Sequence, residues 1–177
     1  MTFVEEFRCK PISPPIPIKN LYRTPETLGK DRLAAVIGAY VQYPNQNSAV
    51  IDLGTCNTFD LIDKKGVYQG GNISPGVDMK LKAMNHFTSK LPLPTRQYND
   101  DPIGKDTTSA LQNGAFWGTI FEIESFIYRM NALFTPLNVI LTGGYAEIFG
   151  SKLNSKIFVA PNIVLFGLHE ILKYNEE

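Results

Sequence analysis

Apolar positions along the chain change their period several times, and each change predicts an element. Leu33, Ile37, Tyr40 and Val41 recur at helical spacing. Thr24-Pro25-Glu26 precedes them as a cap, a first-position proline and a first-turn acid, so the predicted helix covers residues 24–43. Pro44-Asn45-Gln46-Asn47 ends it. Ala49-Val50-Ile51 is a short apolar run that leads into Asp52-Leu53-Gly54-Thr55, the pattern of a buried central strand that delivers a carboxylate and then turns sharply. Residues 58–62 and 67–69 flank Asp63-Lys64-Lys65-Gly66, which suits a hairpin. Gly70-Gly71 and Pro75-Gly76 frame Asn72-Ile73-Ser74, after which Val77, Leu81, Met84 and Phe87 share one helical face and predict a helix over residues 75–89.

Residues 90–105 have no periodicity and read as a long surface loop. Leu111, Ala115, Phe121, Ile127 and Met130 predict a long helix over residues 107–133. Gly114 and Gly118 interrupt it, and the cost of glycine in a helix predicts a close backbone approach there. Val139-Ile140-Leu141 is a second buried strand, running into Thr142-Gly143-Gly144 and a short helix. A strand at residues 157–160 and a helix at residues 162–174 close the chain. Residues 1–10 alternate weakly, as a strand does, and the prolines of residues 11–19 make a rigid connector. Strands and helices alternate after the hairpin, so the fold class is α/β, and no internal repeat is visible.

At 177 residues the chain can bury about 70% of its unfolded surface, enough for a core without disulfides or metals. Its 17 basic and 17 acidic residues cancel, which removes the electrostatic drive for a nucleic-acid partner. No apolar stretch reaches the length of a membrane span, and charges in the first ten residues argue against a signal peptide, so the expected location is cytoplasmic. Cys9 and Cys56 form no metal-ligand spacing and read as plain thiols.

Chemistry concentrates at two strand-to-turn junctions, Ile51-Asp52-Leu53-Gly54-Thr55 and Leu141-Thr142-Gly143-Gly144. Backbone N–H groups freed at such turns meet phosphate oxygens, and a neighbouring carboxylate can hold a cation. Taken singly, each is more simply a turn with a capping acid; together in one small domain they point to phosphate chemistry. Gly29-Lys30-Asp31-Arg32 reads either as a solvated surface pair or as an acid that deprotonates an attacking hydroxyl beside a substrate-binding arginine. His86 and His169 read as helix-face residues with satisfied hydrogen bonds, and Trp117 and the phenylalanines as core. Asp60, Asp63, Asp100, Asp101 and Asp106 read as turn or helix caps.

The stretches 22–34, IDLGTCNTFD (51–60), GGNISPG (70–76), IGKDTTSAL (103–111) and ILTGG (140–144) occur in an order that resembles the type III pantothenate kinases, of the actin-like, sugar-kinase-like ATPase superfamily. The resemblance implies a ribonuclease H-like lobe with a mixed sheet and flanking helices. It also implies ATP-dependent phosphorylation of pantothenate, the first step toward coenzyme A. Carried over by motif, Asp31 is the general base, and Tyr22, Gly29, Lys30, Arg32 and Thr107 contact pantothenate. Gly54, Thr55, Gly143 and Gly144 contact ATP, which enters with Mg2+, and Asp52 holds potassium or ammonium. The family is homodimeric with a pantothenate pocket shared between subunits, which would place GGNISPG near the interface. The family's Asp-x-Gly-Asn-Thr loop has no counterpart before Tyr22. Residues 1–177 are therefore expected to form a single domain, the second lobe plus the connecting segment, with the first lobe mostly absent. The alternative readings are a non-catalytic remnant that dimerises or binds pantothenate, and another small-molecule kinase of the superfamily.

Overall fold

The computed structural model describes residues 14–176, so the strand expected over residues 1–10 lies outside it, as does Cys9. In chain order the elements are β1 (Lys19–Asn20), α1 (Lys30–Gln42), β2 (Asn47–Leu53), β3 (Cys56–Ile62), β4 (Val67–Pro75), α2 (Val77–His86), α3 (Thr107–Leu133), β5 (Leu137–Thr142), α4 (Ala146–Gly150), β6 (Phe158–Val159) and α5 (Ile163–Glu176). The strands form one six-stranded sheet in the order β1-β4-β3-β2-β5-β6. β2, β3 and β4 form an antiparallel meander, and β5 and β6 add in parallel on the other side of β2.

The consecutive apolar residues of β2 and β5 reflect burial on both faces of the sheet. Val50 and Ile140 pack with Ala35, Val36 and Ala39 of α1 and Ile163 of α5. Their neighbours Ile51 and Leu141 point the other way, into a core with Leu81, Phe116, Ile120, Ile123 and Phe149. Thus α1 and α5 cover one face, while α2, α3 and α4 cover the other.

Several local expectations shift. The first helix begins at Lys30 with Gly29 as its cap, not at Thr24. The Thr24 carbonyl is spent on a closed turn, accepting from the Thr27 amide (3.0 Å) and hydroxyl (2.9 Å), so Pro25 seats a turn instead of a helix. The proline-rich connector ends in a short strand: Lys19 donates to the Gly66 carbonyl (2.9 Å) and Leu21 to that of Tyr68 (3.3 Å). The glycine pair does not end β4, which runs on to Pro75 with a register shift opposite Leu61 and Ile62, where Gly70 adopts φ +107°. Phe87 and Phe121 are exposed, and Trp117 is half-buried with its indole N–H on the Asn99 carbonyl (3.0 Å).

The predicted close approach at Gly114 and Gly118 does not occur, since nothing outside their own helix lies within 4 Å of where a Cβ would stand. The close approach is between α1 and α5 instead. A Cβ on Gly167 would collide with the Ala34 carbonyl oxygen, and one on Gly38 would come within 2.5 Å of the Ile163 carbonyl oxygen.

Candidate functional site

The β2 and β5 register pairs Asp52 with Thr142, so the turns that follow the two strands leave the sheet side by side. The Tyr145 amide donates to the Leu53 carbonyl (3.1 Å), and the Gly76 amide to that of Thr55 (3.0 Å), which clamps the Gly54-Thr55 turn from both sides. Gly143 has φ +88°, and a Cβ there would collide with the Asp52 carboxylate and stand 2.6 Å from the Leu53 carbonyl oxygen. Only glycine lets these turns close on each other.

Alternation along the strands puts Asp52 and Asp60 on the same face as Val50, because Val50 pairs with Asp60 and Asp52 with Thr58. The chain reverses between α1 and β2, so the N-terminus of α1 returns over the C-terminal end of β2. That reversal delivers Asp31 and Arg32 to the Asp52 end of the sheet. Burial pushes the Asp52 carboxyl above the ordinary carboxylate range, and the like charges of Asp31 and Asp60 push it further. No hydrogen-bond donor offsets this among the described residues. Asp31 is exposed, and its Oδ1 accepts from the Arg32 amide (2.9 Å).

Asp60 is not a cap, as the sequence suggested. It is 1% exposed, because Arg32 turns inward and binds it with Nε (3.1 Å to each oxygen) and Nη2 (2.7 Å), and the Tyr68 hydroxyl adds a 2.6 Å bond. Arg32 is therefore neither a solvated surface group nor a partner of the Asp31 carboxylate through its guanidinium. Burial alone would lower the Arg32 pKa, but the hydrogen bond and charge of Asp60 outweigh it and hold the group charged. Burial, then the bond to Asp60, keeps the Tyr68 hydroxyl protonated. The Tyr22 ring lies over the outer side of this cluster, 5.7 Å from the Arg32 Cζ and 6.1 Å from the Tyr68 ring.

On the opposite face a cleft of about 380 Å³ opens beside the Gly54-Thr55 turn, walled by Tyr145 and by Met79, Lys82 and His86 of α2. Asp78 fixes the wall: it accepts from Arg96 Nε (3.1 Å) and Nη2 (2.9 Å) and from the Tyr145 hydroxyl (3.0 Å). His86 stacks edge-on against Phe87 and, like His169, is exposed without the hydrogen bond expected of it among the described residues. Asp63, Asp101 and Asp106 do act as turn or helix caps, accepting from the backbone of Lys65, Ile103 and Ser109. Asp100 instead pairs with Lys152 at 2.5 Å.

Of the residues singled out from sequence, Tyr22, Gly29, Lys30, Asp31, Arg32, Asp52, Gly54, Thr55, Gly143 and Gly144 gather at one end of the sheet. Thr107 does not join them. It is exposed at the start of α3, which packs on the face opposite α1. Asp60, Tyr68, Lys82 and Tyr145 were missed; an acid inside the apolar run Phe59 to Ile62 was the signal that a buried partner was needed.

A model of the type III pantothenate kinase family matches residues 4–129. The chain belongs to the type III pantothenate kinase family. It is 46% identical over 160 residues to the type III pantothenate kinase of Cytophaga hutchinsonii, covering 90% of this chain and 68% of that one. It is 47% identical over 161 residues to that of Bacteroides fragilis, covering 91% and 66%. The chain thus spans about two thirds of the length of these relatives. A crystal structure of a Campylobacter jejuni protein described as a conserved Baf family transcriptional activator shares the fold, with a TM-score of 0.65 at 23% identity over 90% of this chain and 69% of that one. A type III pantothenate kinase fold of this kind is a mixed sheet with flanking helices, as expected. Among the described residues no helix is long and apolar enough to cross a membrane.

The electrostatics of Asp52 carry a prediction for this kinase-family chain. Its carboxyl is raised in the folded state, so the carboxylate form weakens the fold at any pH above the unfolded pKa. Asp52→Asn is expected to raise Tm at pH 7, and the gain should shrink to nothing as the pH falls below about 4, where both states of the wild type are protonated. Thermal melts across that range check it.

Proposed function

We propose that the chain transfers the terminal phosphoryl group of ATP to the primary hydroxyl of pantothenate in the cytoplasm, the first step toward coenzyme A. The observation that supports this most is the exposed Asp31 carboxylate at the start of α1, whose charge acts on Asp52 where the turns after β2 and β5 leave the sheet side by side. Asp31 accepts the hydroxyl proton as that oxygen bonds to the γ-phosphorus and the bond from phosphorus to the ADP oxygen breaks. Tyr22, Gly29, Lys30 and Arg32 bind and orient pantothenate. The Gly54 amide is already spent on the Cys56 carbonyl (3.2 Å), so Gly54 keeps the turn tight while the amides at Thr55, Gly143 and Gly144 bind ATP phosphates, and Mg2+ arrives with the nucleotide. The sheet and its helices serve as the second lobe of an actin-like ATPase.

Asp52 suits a monovalent cation. It is half-buried and crowded by the like charges of Asp31 and Asp60, and no side chain among the described residues donates to it. Potassium or ammonium there offsets phosphate charge. Thr107, on the other face of its own sheet, reaches pantothenate from a second copy in a homodimer, with the exposed Ile73 of the GGNISPG segment near the interface.

ATP-dependent formation of phosphopantothenate by the purified chain tests this reading. Turnover is expected in potassium and roughly tenfold less in sodium, a rate difference of about 1.4 kcal/mol, because the two ions carry the same charge but differ in size and hydration. A folded chain that forms no phosphopantothenate in potassium overturns it.

A further inference from the structure

We propose that Asp60 and Tyr68 are positioning residues for pantothenate, acting through Arg32 and the Tyr22 ring beside it. The inference rests on the pantothenate kinase reading above and adds to it two buried residues that never touch substrate.

Arg32 follows the base Asp31 in the first turn of α1, yet its side chain is 5% exposed and faces an Asp60 side chain that is 2% exposed. A guanidinium carries five N–H donors in a fixed fork. The donors on Nε and Nη2 are spent inward, on both oxygens of Asp60 and, at 3.1 Å, on the Tyr68 hydroxyl. The Tyr68 hydroxyl in turn donates to Asp60 Oδ1 at 2.6 Å, which closes a triangle of groups. The neighbouring strand closes on the same group. A Cβ on Gly71 would collide with the Phe59 carbonyl oxygen and would also stand 2.5 Å from Asp60 Oδ1 and 2.9 Å from Arg32 Nη2.

A buried ion pair of this kind contributes little to stability compared with apolar side chains of the same volume. What it supplies is direction and charge balance. The rigid triangle fixes the guanidinium against the Tyr22 side chain, whose ring centroid lies 5.7 Å from the Arg32 Cζ, so loosening the triangle moves the Arg32–Tyr22 pair. Asp60 also neutralises Arg32, the residue that follows Asp31 in the first turn of α1. Without Asp60 the guanidinium swings to the Asp31 carboxylate, and that capture would remove the base.

Tyr68→Phe deletes a single hydroxyl and leaves the packing of a fully buried ring; Asp60→Asn removes the counter-charge. Pantothenate binding by titration calorimetry and separate KM values for pantothenate and ATP provide the test. Tyr68→Phe is expected to weaken pantothenate binding about fivefold and Asp60→Asn about thirtyfold, both at an ATP KM within twofold of wild type. If Asp60→Asn fails to fold, Tyr68→Phe decides alone. A folded Tyr68→Phe that binds pantothenate as wild type does, or whose two KM values rise together, overturns this inference and leaves the kinase reading standing. A wild-type chain that binds no pantothenate overturns both.

Discussion

Asp31→Asn is expected to lower kcat for phosphopantothenate formation by about 10³-fold, within the range measured for loss of a general base. Asparagine has nearly the same shape, and its carbonyl oxygen still accepts the Arg32 amide bond that Asp31 accepts at 2.9 Å. The side chain is exposed, so the fold loses at most the attraction between an acid and the helix N-terminus, under about 1 kcal/mol. For a chain of this length that is a Tm change of no more than roughly 4 °C. The substitution removes the ability to take a proton and the charge that holds the attacking hydroxyl in line. Steady-state turnover at saturating substrates, read beside a thermal melt, separates the two effects. A variant that turns over near the wild-type rate would mean that the proton leaves by another route and that Asp31 only borders the pocket.

Gly167→Ala is expected to destabilise the fold by about 3 kcal/mol, the upper end for overpacking, and to lower Tm by roughly 6–12 °C. In an isolated helix the same change would stabilise by up to about 1 kcal/mol. The sign reverses because α5 crosses α1 at this position backbone to backbone. A Cβ on Gly167 collides with the Ala34 carbonyl oxygen, lies 2.7 Å from its carbon and is 3.0 Å from the Gly38 amide nitrogen. Backbone cannot rotate away as a side chain can, so the helices must separate and the apolar contacts of Val36, Ala39 and Ile163 loosen with them. Gly118→Ala is the internal control. It adds the same methyl group where nothing outside α3 lies within 4 Å, and it should stabilise slightly. Destabilisation by both would attribute the effect to glycine's local conformation instead of the helix crossing. Since α1 also carries Asp31 and Arg32, residual activity of folded Gly167→Ala should fall along with its stability.

Much of the molecule was legible in the chain because the signals are local. The bounds of the long helix over residues 107–133 are legible because apolar periodicity acts within a turn or two, and the structure adds an Asp106 cap with Ser109 at its start. The hairpin around Asp63 to Gly66 and the buried strands ending in Asp52 and Thr142 followed from turn chemistry and runs of apolar residues. The motifs that mark the pantothenate kinase family are contiguous and could be read in order.

Local signals misled where a residue's partner lies far along the chain. Thr24-Pro25-Glu26 has the composition of a helix start and forms a turn, because the helix begins where α1 meets the sheet. Gly114 and Gly118 looked like contact points and face open space, while Gly38 and Gly167, passed over in the sequence, hold the helix crossing. By itself the sequence determined most of the elements, the family motifs and the residue types that phosphoryl transfer needs. The tertiary structure decided that Arg32 pairs with Asp60, 28 residues away, and not with adjacent Asp31, and that Thr107 stands on the opposite face from the base. Periodicity and turn chemistry act over a few residues of backbone, whereas the choice of a buried charge's partner depends on strand register and on which side of the sheet each helix packs.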